Sequence, residues 1–159
     1  SAHQYLVDEW LDRKAKTYQD GIWLDWAAEV SYLFKDGNQY VDITGGWSGV
    51  DLSAETISLS HYTGTTDASI YSRTNNPVDF TDFGVLSVVV DSFFESFEVT
   101  LEDSSGNKIA TVTPAEPGAI TMNLANITGS YFICLHSWTH DNDGDVSTAF
   151  TVSEVQLLK

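Results

Sequence analysis

Residues 95–113 read ESFEVTLEDSSGNKIATVT. Phe97, Val99 and Leu101 alternate with Glu98, Thr100 and Glu102, the period of a strand with one buried face and one wet face. Ser104-Ser105-Gly106-Asn107 then turns the chain into a second run at 107–113. Outward from this strand, turn and strand the same syntax repeats. Upstream, Val85-Leu86-Ser87-Val88-Val89-Val90 is almost wholly apolar, which suits a central strand within 84–91. Further runs rich in β-branched and aromatic residues cover 31–34, 39–43, 55–62, 68–73, 118–124, 129–138 and 147–158, punctuated by Gly, Asn, Asp and Pro. Between the first two, Lys35-Asp36-Gly37-Asn38 contains the Asp-Gly pair that supplies the positive φ of a tight hairpin. The pattern predicts an all-β domain: an antiparallel two-sheet jelly-roll sandwich.

The first 40 residues differ from the rest. They hold 4 basic and 7 acidic side chains, against 3 and 16 in residues 41–159. Leu6, Val7, Trp10, Leu11 and Tyr18 fall at helical spacing, with Asp8, Glu9 and Asp12 near the start and Gly21 as a stop. These predict a short N-terminal helix over residues 5–19. The segment at 22–30 reads either way, because Trp23 and Trp26 have helical spacing and strand-like neighbours. The division expected is a helical connector at 1–22 and a β-sandwich at 23–159.

The chain's 159 residues, 42% of them hydrophobic, suffice for one core with an appendage. A net charge of −16 opposes the phosphate contacts on which nucleic-acid binding depends. No apolar run approaches the roughly 18 to 20 residues of a membrane span. The opening Ser1-Ala2-His3-Gln4 lacks the basic and apolar regions of a secretion signal. Cys134, flanked by Ile133 and Leu135, reads as a buried, inert thiol.

Catalytic motifs are weak. There is no Gly-x-Ser-x-Gly, and His3, His61, His136 and His140 have no Ser or Cys context in sequence. With 23 acidic residues a glycosidase pair can always be drawn, so pairing alone says nothing. No catalytic residue is assigned, and the reading is a non-enzyme. His140-Asp141-Asn142-Asp143-Gly144-Asp145 offers hard oxygen ligands from Asp141, Asp143 and Asp145 that suit Ca²⁺, or simply an Asx-rich turn with Asp143-Gly144 at its tip. His136 and His140 could alternatively hold a transition metal.

Aromatic residues beside polar groups carry more information. A sugar presents a flat C–H face to a ring, and its hydroxyls need fixed donors and acceptors. Trp47 follows Thr44-Gly45-Gly46, His61-Tyr62 abuts Thr63-Gly64, Tyr71-Ser72-Arg73 runs into Asn75-Asn76, and Trp138 lies between His136 and His140. The ligand site expected is therefore Trp47, His61, Tyr62, Tyr71, Arg73 and Trp138, with capping of the sandwich core as the alternative role for the rings.

Tyr32-Leu33-Phe34, Gly37 and Thr44-Gly45-Gly46-Trp47 resemble the opening of sandwich domains in tail and baseplate proteins of phages and prophages of Gram-positive bacteria. The part from Asp79-Phe80-Thr81-Asp82-Phe83 through Asn126 to Tyr131 and on to Leu158 is similar to carbohydrate-binding modules and galactose-binding-like domains. The resemblance implies a glycan-binding adhesion module of a virion, or another extracellular protein, that takes host cell-wall saccharide. It also implies oligomeric assembly and attachment to other virion subunits through the N-terminal helix. A structural virion domain without ligand is the alternative, and a glycoside hydrolase is third.

Overall fold

The computed structural model describes the strands Lys16–Gln19 (β1) and Ile22–Asp25 (β2) and residues 30–159. β1 and β2 pair antiparallel as a two-stranded sheet of their own, with Tyr18 opposite Trp23. The helix expected over 5–19 is therefore corrected at its end, since Lys16–Gln19 is a strand; residues 5–15 lie outside the described residues. Thr17, Tyr18, Ile22 and Trp23 are β-branched or aromatic, and cross-strand pairing overrides a helical spacing that rests partly on Tyr18. The domain boundary expected after residue 22 falls inside β2.

Two five-stranded antiparallel sheets follow. In the first, β10 (Gly118–Asn123), β7 (Val85–Phe93) and β12 (Val146–Leu158) lie side by side. The next position is shared end to end by β4 (Ile57–Thr63), paired with Val146 to Val152, and β3 (Val30–Lys35), paired with Glu154 to Leu158. The second sheet repeats the device. β9 (Lys108–Val112), β8 (Ser96–Glu102) and β11 (Ser130–His140) are adjacent, and β5 (Asp67–Arg73) and β6 (Val78–Asp79) share the outer position along β11. From β4 onward the chain passes repeatedly between sheets: β5 and β6 are in the second, β7 in the first, β8 and β9 in the second, β10 in the first, β11 in the second and β12 in the first.

The inner faces meet where the alternation places the apolar residues, although the other face of β8 is not wet: Glu98 and Thr100 are buried as well. Phe97, Val99 and Leu101 of β8 are buried, as are Ile133 and Leu135 of β11 and Leu86, Val88 and Val90 of β7. Phe97 joins the two layers, with ring centroids 5.8 Å from Phe93 and 5.3 Å from Phe150, within the range of favourable aromatic pairs.

The expected strand at 39–43 is corrected. Lys35-Asp36-Gly37-Asn38 does turn, with φ of 50° at Asp36 and 79° at Gly37 and reciprocal bonds between Lys35 and Asn38. The chain then forms the short helix α1 (Val41–Thr44). Gln39 explains the departure: its buried side chain donates to the Asp51 carbonyl at 2.7 Å and accepts from the Trp47 N–H at 3.0 Å. Thr44 Oγ1 donates to the Gln39 carbonyl at 2.7 Å and accepts from the Gly46 N–H at 2.9 Å. Among the described residues no helix is long and apolar enough to cross a membrane.

Candidate functional site

Because Ile133, Leu135 and Ser137 of β11 face the core, Phe132, Cys134, His136 and Trp138 face outward on the opposite side of the second sheet. Strand register sets their neighbours. His136 stands opposite Tyr71 of β5 on one side and Glu98 of β8 on the other; Cys134 stands opposite Arg73 and Thr100, and Phe132 opposite Glu102. Tyr71, Arg73, Glu98, Glu102, Lys108, Cys134 and His136 line a cleft of about 240 Å³, and Glu98, Lys108, His136 and Trp138 line an adjoining one of about 250 Å³.

The imidazole of His136 bridges three strands. Its Nε2 is 2.6 Å from Ser69 Oγ on β5, and its Nδ1 is 3.3 Å from Glu98 Oε1 on β8. The ring stacks on Trp138 with centroids 5.0 Å apart and planes 25° apart. Glu98 Oε1 also accepts from Lys108 Nζ at 3.0 Å, and that hydrogen bond, with the carboxylate's charge, raises the Lys108 pKa above its ordinary value. Glu98 is nearly buried, so its charge is offset by the Lys108 ammonium where water cannot reach it freely. Arg73 lies over the Phe132 ring at 4.3 Å and 3.9 Å from Glu102 Oε1. Cys134 forms the floor. Burial first, then the charges of Glu102 and Glu98, push its thiol up to about 12, in keeping with the inert thiol expected from its flanks.

Of the six ligand residues expected from sequence, Tyr71, Arg73 and Trp138 come together on this face. Tyr71 is 58% exposed. Trp47 is a correction: it is 2% exposed, and its indole N–H donates to the Leu33 carbonyl at 3.0 Å, so no ring face is open to a ligand. The glycines before it serve the fold. Gly45 and Gly46 have φ of 70° and 91°, and Asn75 and Asn76 pin that loop through bonds to the carbonyls of Gly46, Gly45 and Thr44. His61 and Tyr62 lie on β4, in the other sheet, where the Tyr62 hydroxyl donates to Asp145 Oδ1 at 2.6 Å.

The turn that carries Asp141, Asp143 and Asp145, where a cation was expected, is held by hydrogen bonds. Among the described residues no three His, Cys, Asp or Glu side chains are grouped to hold a metal. Asp141 Oδ1 accepts the Asp143 N–H at 2.9 Å, an Asx turn, while Asp145 binds Tyr62. Of the histidine pair, His140 bonds to Asp67, and His136 to Ser69 and Glu98.

Glu98, Glu102, Lys108 and Ser69 were not anticipated as site residues. The signal for the two glutamates was present in the alternation that buries Phe97 and Leu101, and the turn at Ser104 to Asn107 returns Lys108 to the same face. Ser69 required the pairing of β5 with β11, two strands far apart in sequence.

No protein-family model matches this chain. No curated protein matches it. Among solved structures the chain is similar to chitosan-binding module 1 derived from a chitosanase/glucanase of Paenibacillus sp. IK-5, at 12% identity over 82% of this chain and 93% of that one, with a TM-score of 0.36. Nothing of the site is carried over from it to this chain.

Proposed function

We propose that this chain is a non-catalytic saccharide-binding module, a jelly-roll sandwich whose ligand lies on the outer face of β5, β11, β8 and β9. The observation that carries the reading is the combination, across two adjoining clefts on one sheet face, of an exposed Tyr71 ring, the stacked His136 and Trp138 rings, and fixed donors and acceptors from Arg73, Lys108, Glu98 and Glu102. Rings meet the C–H face of a sugar, and alternating donors and acceptors meet hydroxyls that do both. The interleaving of strands between two sheets supports the jelly-roll description.

The non-catalytic reading is supported by the carboxylates. Glu98 and Glu102 are four residues apart on one strand, so their backbones stand roughly 13 Å apart along β8. Both are also held by cations. The Ser69, His136 and Glu98 bonds fix the imidazole between strands, and Ser69 lies outside the residues lining either cleft.

A role in adhesion to host cell walls, in a phage tail or baseplate, is supported by the sequence resemblance alone. The test is affinity electrophoresis of the chain through gels containing cell-wall and storage polysaccharides, with turnover assayed on the same panel. Retardation without turnover is expected. Migration unchanged by every polysaccharide would favour a structural domain, and release of reducing ends would make the chain a hydrolase.

A further inference from the structure

We infer that the cleft takes an uncharged oligosaccharide chain of at least two sugar units, aligned along β11 from Phe132 toward Trp138; this rests on the saccharide reading above and names its ligand class. Three observations carry it. The first is size. Each cleft, at about 240 and 250 Å³, is smaller than the roughly 300 Å³ at which sites enclosing drug-sized ligands begin. The two share Glu98, Lys108 and His136 as a common wall, so a ligand filling both is longer than a single ring.

The second is the placement of aromatic rings. Tyr71 lines the first cleft and Trp138 the second. Tyr71 stands opposite His136, and Trp138 is two residues further along β11, roughly 7 Å away. Each cleft thus has its own platform, which suits consecutive units of one chain.

The third is charge. Among the described residues lining the clefts, Arg73 is paired with Glu102, and Lys108 with Glu98. The two fixed cations of the lining are thus matched one for one by its two carboxylates. An anionic sugar would have to draw Arg73 or Lys108 away from its carboxylate, and a cationic sugar would have to displace one of those cations. A hydroxyl needs neither, since it can accept from Arg73 or Lys108 and donate to a free carboxylate oxygen with both pairs intact. The remainder of the chain, at −16 overall, adds long-range repulsion against polyanions.

The experiment is calorimetric titration of the whole chain with three oligosaccharide series of graded length: neutral hexose and N-acetylhexosamine oligomers, oligogalacturonates, and oligoglucosamines. The expected result is binding of a neutral series, at least about tenfold tighter for two units than for one, and changed less than about threefold between about 0.05 and about 0.5 M NaCl. Tighter binding of a charged series, or equal binding of monosaccharide and longer oligomers, would overturn this inference and leave saccharide binding standing. No heat from any series would overturn both. The variant Glu102→Gln, which frees Arg73, should gain about tenfold for oligogalacturonate; unchanged anionic affinity would overturn the charge-pairing argument.

Discussion

Trp47 and Tyr71 were equivalent candidates in sequence, and burial separates them. Trp47 fills the core and satisfies the Leu33 carbonyl, so Trp47→Ala should cost about 3 to 5 kcal/mol of stability in denaturant unfolding. Tyr71 stands on the open face; Tyr71→Ala should change stability by less than about 0.5 kcal/mol and abolish saccharide retention. Tyr62→Phe, on the other sheet, should leave retention unchanged. Cys134 gives a prediction in pH. Its folded value is raised from the ordinary 9.0 to about 12 by burial, so the native state holds the thiol proton more tightly than the unfolded chain. That contribution is whole below pH 9.0 and is lost as pH rises toward about 12. Stability followed across this window should fall less in Cys134→Ala than in the parent, and the native thiol should react with a disulfide reagent only on unfolding.

At the scale of elements, the loop from α1 to Trp47 depends on backbone that only glycine adopts easily. Gly45 has φ of 70°, its N–H closes α1 onto the Val41 carbonyl at 2.9 Å, and a Cβ there would meet the Asn76 side chain at 2.7 Å. Gly45→Ala should therefore destabilise by more than about 1 kcal/mol in equilibrium unfolding. The distinctive Thr-Gly-Gly-Trp motif thus has a structural explanation. Elements with their own period were legible: β8 from Phe97, Val99 and Leu101, and β7 from its apolar run. The 39–43 segment was not, because Gln39 and Thr44 redirect it through bonds to Trp47, Asp51 and Gly46, which a periodicity cannot register. The same reason limits the site. Tyr71, Arg73 and Trp138 were visible as residue types beside polar neighbours, but their partners Ser69, Glu98 and Lys108 are set by register between strands distant in sequence.

For the whole molecule, the buried hydrophobic residues of the described core run from Leu33 to Leu157, and among the described residues β1 and β2 pair with each other and with no other strand. Removal of residues 1–29 should leave a cooperative thermal transition and undiminished saccharide retention; a non-cooperative melt would place that segment within the folding unit. The two sheets give the molecule two outer faces, and we propose that a glycan binds the one built on β5, β11, β8 and β9. Backbone amide chemical shifts of the isotope-labelled chain, followed during titration with the neutral oligosaccharide that retains it best, locate the ligand directly. A glycan on that face shifts amides concentrated at Ser69 to Arg73, Glu98 to Glu102, Lys108 and Phe132 to Trp138, with β4 and β12 unaffected. Shifts concentrated at His61, Tyr62 and the Asp141 to Asp145 turn, or confined to α1, would contradict it.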